Sequence, residues 1–269
     1  MSIAEEIHLA GSAFDTIADS YDYLFTSSLI GRSQRSVVWR KAETVFRAGD
    51  HVLELNCGTG IDALFLASLG ITVTACDASS AMIEQARARK ALQAPLASID
   101  FHSLCTERLS ELPADLCFDG VFSNFSGLNC VSGISAVAQF IASRMLPGAQ
   151  LLLCLSTRFC AWEILHYLVH GNVRKAFRRC SGIAPARMGP YSFPVYYPTV
   201  RSFLRDFGPA FQLRSITGIG IAVPPSYMEA WARGNASIFR ICEAFDSLTE
   251  NWPCIRVMGD HMLLHLERV

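Results

Sequence analysis

Two short stretches concentrate the chemistry-bearing residues of this chain: VLELNCGTGIDA at 52–63 and CDASSAM at 76–82. Gly58 and Gly60 stand where a chain turns tightly and lets a ligand approach the backbone with no Cβ in the way. Glu54, four residues ahead of Gly58, ends an apolar run with a carboxylate able to accept hydrogen bonds from a cationic amino group. Asp77, nineteen residues after Gly58, closes the next apolar run, where a carboxylate can grip ribose hydroxyls; capping the SSAM helix is its alternative role. If both runs are parallel strands, these groups meet at their carboxyl ends and form a nucleoside-binding crevice. Two ligands compete for it. GTGIDA (58–63) formally matches G-x-G-x-x-G/A, which suits a nicotinamide dinucleotide and an oxidoreductase. Glu54 speaks against that, because its charge would repel a pyrophosphate. A nucleoside with a positive far end fits better.

The elements that must hold these residues alternate. HVLEL (51–55), ITVTAC (71–76), ASIDFH (97–102), FDGVFSN (118–124) and AQLLLCL (149–155) read as strands. Between them IDALFLASL, SSAMIEQARARKALQ and GISAVAQFIASRML read as helices. Connections of this length imply a parallel sheet with helices on both faces. Ahead of it, residues 4–24 and 33–47 read as two helices. After it come an apolar helix (AWEILHYLV), a basic stretch (NVRKAFRR) and a Pro/Gly/Tyr-rich loop, all within 156–198. A strand near 211–220, a long helical connection from Met228 to Leu248 and a last strand at 260–268 complete the chain.

Composition narrows the class. The 269 residues are 51% hydrophobic and 17% charged, which excludes a disordered chain. A formal net charge of −1 supplies no general attraction to phosphate backbones, so no nucleic-acid partner is expected. The longest uncharged run, Gly120 to Ser143, is interrupted by Ser123, Asn124, Ser126, Asn129, Ser132 and Gln139, so no integral membrane span is expected. The opening MSIAEEIHLA lacks a basic leader. Ten cysteines without a C-x-x-C pair point to reduced thiols in a cytoplasmic protein and to no metal site.

ELNCGTG followed by Asp77 resembles motifs I and II of the class I S-adenosylmethionine (SAM)-dependent methyltransferases. AFDTIADSYD (13–22) resembles the N-terminal signature of their UbiE-like, type 11 group. LPADLCFDGVFSNFSGLN (112–129) is similar to the motif IV region, and RMLPGAQLLL (144–153) to the fifth-strand segment. The resemblance implies an α/β fold: a Rossmann-like, seven-stranded, mostly parallel sheet with an antiparallel last strand and an N-terminal helical cap. One domain over 1–269 is expected, with the cap at 1–49, the SAM-binding core at 50–155 and substrate-lid segments at 156–198 and 221–259. By resemblance, Glu54, Asn56, Gly58 and Gly60 surround the methionine moiety and Asp77 holds the ribose. Ala78 and Met82 pack on the adenine, Tyr21 closes over the methionine end, and Ser123 with Asn124 sits beside the sulfonium. Two positions depart from the pattern. Asn56 replaces a usual glycine, and Asn tolerates left-handed backbone. Cys105 stands where an acid usually receives the adenine amino group, which leaves that task to backbone near Thr106.

The methyl acceptor is less defined. The turn after the fourth strand reads SNFSGL where (N/D)PP(Y/F) serves methylation of base or amide nitrogens. Asn124 and Ser156-Thr157-Arg158 occupy places where metal-assisted enzymes need carboxylates, so no metal is expected. A small, apolar or aromatic acceptor remains, with Trp162, His166, Tyr196, Tyr197, Tyr227 and Trp231 of the lid segments as pocket candidates. His261, beside Asp260, is the candidate base; a capping role is the alternative. His166 and His170 lack the intervening Glu of a zinc-protease helix. Arg174, Lys175, Arg178 and Arg179 attract an anionic substrate or lipid headgroup, or are a solvated helix face. A non-catalytic scaffold of this fold is the third reading, beside the methyltransferase and the oxidoreductase.

Overall fold

In a computed structural model, which describes residues 3–269, the strands are β1 (His51–Leu55), β2 (Thr72–Asp77), β3 (Ile99–Ser103), β4 (Phe118–Ser123), β5 (Met145–Ser156), β6 (Ile183–Met188), β7 (Tyr191–Tyr196), β8 (Phe211–Ile219) and β9 (His261–Arg268). The opening decapeptide lies in part outside the described residues. Seven strands form one sheet in the order β3-β2-β1-β4-β5-β9-β8. β1 to β5 pair in parallel, whereas β9 runs antiparallel to both β5 and β8. The order reverses between β1 and β4, so the carboxyl ends of those strands flank an open crevice.

The helices are α1 (Ile3–Asp15), α2 (Ala18–Tyr21), α3 (Leu29–Val45), α4 (Ile61–Ser68), α5 (Ser80–Gln93), α6 (Ile134–Ser143), α7 (Ala161–Val169), α8 (Val173–Ala176), α9 (Val200–Phe207), α10 (Glu229–Gly234) and α11 (Ala236–Thr249). On one sheet face Val38 and Ala42 of α3, Leu66 of α4 and Ile83 of α5 pack against Val52, Val73 and Phe122. On the other, Val137 and Ile141 of α6 and Phe203 and Phe207 of α9 cover Leu53, Val121 and Leu153. The central strands are apolar on both sides, as a doubly covered parallel sheet requires.

Three expectations change. The first helix, read as continuous over 4–24, breaks into α1, α2 and a π-helical turn at Asp22–Thr26. The Pro/Gly/Tyr-rich stretch is no loop: β6 and β7 form an antiparallel hairpin turned at Gly189, whose φ is +55°. Phe193 of β7 meets Phe14 of α1 at 6.2 Å, so the hairpin braces the cap. Finally, α9 has no counterpart among the expected elements; Thr199 and Ser202 close it with a reciprocal capping box.

Candidate active site

The turn after β1 is left-handed at three places, Asn56 (φ +57°), Gly58 (+53°) and Gly60 (+74°). A Cβ on Gly60 would lie 2.8 Å from Ala86 Cβ, so glycine is needed there for space as well as for conformation. Asp77 is half-buried at the end of β2; its carboxylate accepts from Gly58 N at 2.8 Å and Ser79 N at 2.9 Å. The cap of α5 is Ser79, whose hydroxyl accepts from Met82 N, so Asp77 does not serve as that cap. Burial pushes the Asp77 carboxyl up against these two hydrogen bonds.

Glu54 is 2% exposed, and its Oε2 has no hydrogen-bond partner. Burial first, then the charge of Asp62, push its carboxyl well above the usual range. The Ser123 hydroxyl at the end of β4 is likewise buried and unpartnered. Buried polar groups are usually satisfied, and these two lie on the neighbouring strands β1 and β4. Past the carboxyl ends of these strands, where Asn56 and Asn124 follow, lies a crevice with about 710 Å³ of atom-free space. Asn56, Thr59, Asp77, Ala78, Asn124 and Phe125 line it from the sheet side, and Ala10, Gly11, Phe14 and Tyr21 from the cap.

Three acids of the AFDTIADSYD signature fasten the cap. Asp15 accepts from Ser79 Oγ (2.6 Å) and Ala81 N (3.1 Å), and Asp19 from Gln85 Nε2 (2.9 Å). Asp22 accepts from Thr59 Oγ1 (2.8 Å) and pairs with Arg89. Gly11 allows the close approach: a Cβ there would stand 2.9 Å from the Ala78 carbonyl oxygen.

Across the crevice, buried Arg35 of α3 pairs with Asp62 of α4 at 2.7 Å. Trp39 Nε1 (2.6 Å) and Asn124 Nδ2 (3.1 Å) donate to the same carboxylate. The Arg35 guanidinium sits 4.8 Å from the Phe125 ring centroid. Phe125 of the crevice wall and Ser126 after it both carry positive φ (+44° and +67°), a strained pair of non-glycine residues. Tyr21 is pushed up to about 12, chiefly by burial, with Arg35 opposing.

The structure brings Tyr21, Asn56, Asp77, Ala78 and Asn124 to the crevice wall; Gly58 and Gly60 shape the turn, and Glu54 and Ser123, buried near the ends of β1 and β4, are not among the lining residues. Met82 is 1% exposed and is not among the lining residues. Cys105 and Thr106 are buried at the start of a short 3-10 turn, where Thr106 Oγ1 lies 3.4 Å from Asn56 Oδ1. None of the six pocket candidates lines the crevice. Trp162 meets Trp231 at 5.9 Å and His166 meets Tyr227 at 5.4 Å in a cluster of their own. Tyr197 lies on Arg179 (5.3 Å), and Tyr196 lines a separate cleft with Leu128, Leu155 and Phe203. His261 is buried edge-on to Phe125 at 5.7 Å, its Nδ1 3.5 Å from Asp260 Oδ2. Arg35, Asp62, Phe14 and Phe125 also line the crevice and carry no motif that singles them out. The clue available was the Arg35–Trp39 spacing of four, which puts both side chains on one helix face toward an acid in the first turn of an apolar helix.

Comparison with known proteins agrees with this architecture. A protein-family model described as a methyltransferase domain matches residues 52–148. The demethylmenaquinone methyltransferase of Symbiobacterium thermophilum is 30% identical over 202 residues, covering 67% of this chain and 73% of that protein. The enzyme of the same name from Clavibacter sepedonicus is 32% identical over 146 residues, 52% of this chain; the match spans about half (55%) of that relative's length. Among solved structures, the 1,6-didemethyltoxoflavin-N1-methyltransferase of Burkholderia thailandensis, bound to 1,6-didemethyltoxoflavin and S-adenosylhomocysteine, superposes with a TM-score of 0.62. Its identity is 13%, and the match covers 100% of this chain and 91% of that one. The chain belongs to the class I SAM-dependent methyltransferases, and its closer relatives are the UbiE-like enzymes named above. It is therefore read as an enzyme of that class, and the dinucleotide oxidoreductase and silent-scaffold readings are not favoured.

Proposed function

We propose that this enzyme transfers the methyl group of SAM to a small, apolar or aromatic acceptor, releasing S-adenosylhomocysteine. The observation that carries this reading is the unpartnered Glu54 Oε2 near the end of β1, two residues before Asn56 of a crevice that Asp77 also lines. A buried carboxyl without a partner suits the ammonium of an amino-acid end, and a half-buried carboxylate one strand away suits ribose hydroxyls. SAM supplies an electrophilic methyl on a positively charged sulfur. The work of the chain is to align and to exclude water. Asn56 and the glycine turn cradle the amino-acid end, Ala78 and the Cys105–Thr106 segment face the adenine, and α1 with Tyr21 roofs the site.

Phe14, Tyr21 and Phe125 give the crevice an aromatic side suited to a flat acceptor. The relatives' name, demethylmenaquinone methyltransferase, is a precedent for such a molecule. His261 is the base for an acceptor that must lose a proton. Burial lowers its pKa, Asp260 opposes, and nearby Arg179 lowers it further, so the ring is neutral near pH 7 and can accept a proton. We place the enzyme in the cytoplasm, on the strength of its ten free cysteines; no helix among the described residues is long and apolar enough to cross a membrane.

Calorimetric titration with S-adenosylhomocysteine tests the reading. Binding to the wild type and a loss of affinity in Asp77→Ala are expected; no binding, or an unchanged Asp77→Ala titration, rejects it.

A further inference from the structure

The helical hairpin α7–α8 carries an apolar face that stands in solvent. Leu165, Leu168 and Val169 of α7, Val173 at the start of α8 and Phe177 just after it are 57%, 42%, 75%, 60% and 46% exposed. Exposed apolar side chains scattered singly need no account, but five on one short hairpin form a patch.

Its charged surroundings are one-sided. Arg174 and Lys175 project from α8, and Lys175 Nζ lies 5.6 Å from the Tyr167 ring centroid, which brings the cation back beside α7. Between residues 159 and 182 the single acid is Glu163. It is 1% exposed and spent on Arg178 and Arg179. The hairpin therefore presents apolar groups and cations with no exposed carboxylate, in a chain whose net charge is −1. The α11 face differs. Ile238, Ile241, Phe245 and Leu248 are just as exposed there, but Arg240 and Glu243 supply both signs.

We propose that the α7–α8 hairpin docks on a membrane surface rich in anionic phospholipid. The five apolar side chains enter the boundary between headgroups and acyl chains, and Arg174 and Lys175 meet lipid phosphates. Two exposed cations on short helices make the attachment reversible and salt-sensitive. The proposal stands on this surface alone and holds whatever the methyl acceptor is.

Flotation of the full-length protein with extruded vesicles tests it. Vesicles of phosphatidylglycerol and phosphatidylcholine should carry the protein; pure phosphatidylcholine, or ~0.5 M salt, should release most of it. The double variants Leu168→Ser/Val169→Ser and Arg174→Glu/Lys175→Glu should each weaken vesicle binding at least about fivefold. Both should keep the wild-type titration with S-adenosylhomocysteine, which shows that they fold. Ile241→Ser/Leu248→Ser on α11 should bind vesicles like the wild type. The proposal is overturned if the wild type does not float with anionic vesicles, or if the α11 variant loses as much binding as the α7–α8 variants. It is also overturned if the α7–α8 substitutions leave flotation unchanged and instead dissociate a dimer in light scattering, which would assign the face to a second copy of the chain.

Discussion

Arg35 and Arg179 are both buried guanidinium groups facing buried carboxylates, yet all three nitrogens of Arg179 donate hydrogen bonds and Nε of Arg35 does not. Arg179 donates from Nε and Nη2 to Glu163 Oε2 at 2.9 and 2.6 Å. It also donates from Nη2 to Asp260 Oδ1 at 2.9 Å and from Nη1 to the Asp260 carbonyl oxygen at 3.2 Å. Arg35 holds Asp62, but its Nε is buried without a partner. Beside it, Glu54 Oε2 and Ser123 Oγ are unsatisfied too. The Arg179 cluster is a strut that ties α7 to the start of β9. The Arg35 cluster has hydrogen-bonding capacity in reserve. Unpartnered polar atoms lie beside both clusters, His261 Nδ1 and the Gln34 amide near Asp260 included, so what separates the two is how fully the guanidinium itself is paired.

The sharpest way to break this contrast is to truncate the strut. Glu163→Ala leaves Arg179 with one carboxylate for two and should cost ~3–5 kcal/mol of stability, read as a lower denaturation midpoint, while affinity for S-adenosylhomocysteine holds. An unchanged midpoint would remove the distinction. Next comes the group between the two clusters. His261→Gln should lower kcat about 10²-fold with an acceptor that loses a proton, leaving cofactor affinity intact. In the wild type the acid limb of the pH–rate profile should fall below ~6.5, because burial and Arg179 together lower the imidazole pKa against Asp260.

Glu54→Gln sharpens the other side. Losing the charged acceptor should weaken S-adenosylhomocysteine binding about tenfold by calorimetry, without a loss of stability. The sign with pH follows from the raised Glu54 pKa. A carboxyl raised on folding contributes stability below its unfolded pKa of ~4.3, and that contribution is lost as pH rises through the folded value. The melting temperature of the Gln variant should therefore gain on the wild type as pH increases. The smallest expected effect is at the seam between cap and core: Ser79→Ala removes the acceptor for Met82 N and the donor to Asp15, for ~1 kcal/mol in denaturant unfolding.

The parallel core and the places of Glu54 and Asp77 at the ends of β1 and β2 could be read from the sequence because each depends on local order. A glycine turn fixes Glu54 and Asp77 at strand ends through spacing alone, and strand–helix alternation fixes the sheet. Arg35 and Asp62 are 27 residues apart, and each has a bland local explanation, an exposed helix cation and a first-turn acid. Only the packing of α3 on α4 joins them. The hairpin β6–β7 was masked by its prolines. Pro185 and Pro194 face each other, which a two-stranded ribbon tolerates because neither strand has a second neighbour to bond. The lid aromatics misled for a related reason: composition shows that aromatic surface exists, not what it touches. Trp162 gives its indole N–H to the Ala222 carbonyl oxygen at 2.7 Å and its ring to Trp231, so it is already satisfied within the lid.

The fastening of the N-terminal segment by Asp15, Asp19 and Asp22 has a kinetic consequence. Those acids hold α1 and Tyr21 over the crevice proposed to take the nucleoside. Under the proposed function, departure requires these charged and hydroxyl contacts to let go, so loosening them is expected to speed the release of S-adenosylhomocysteine.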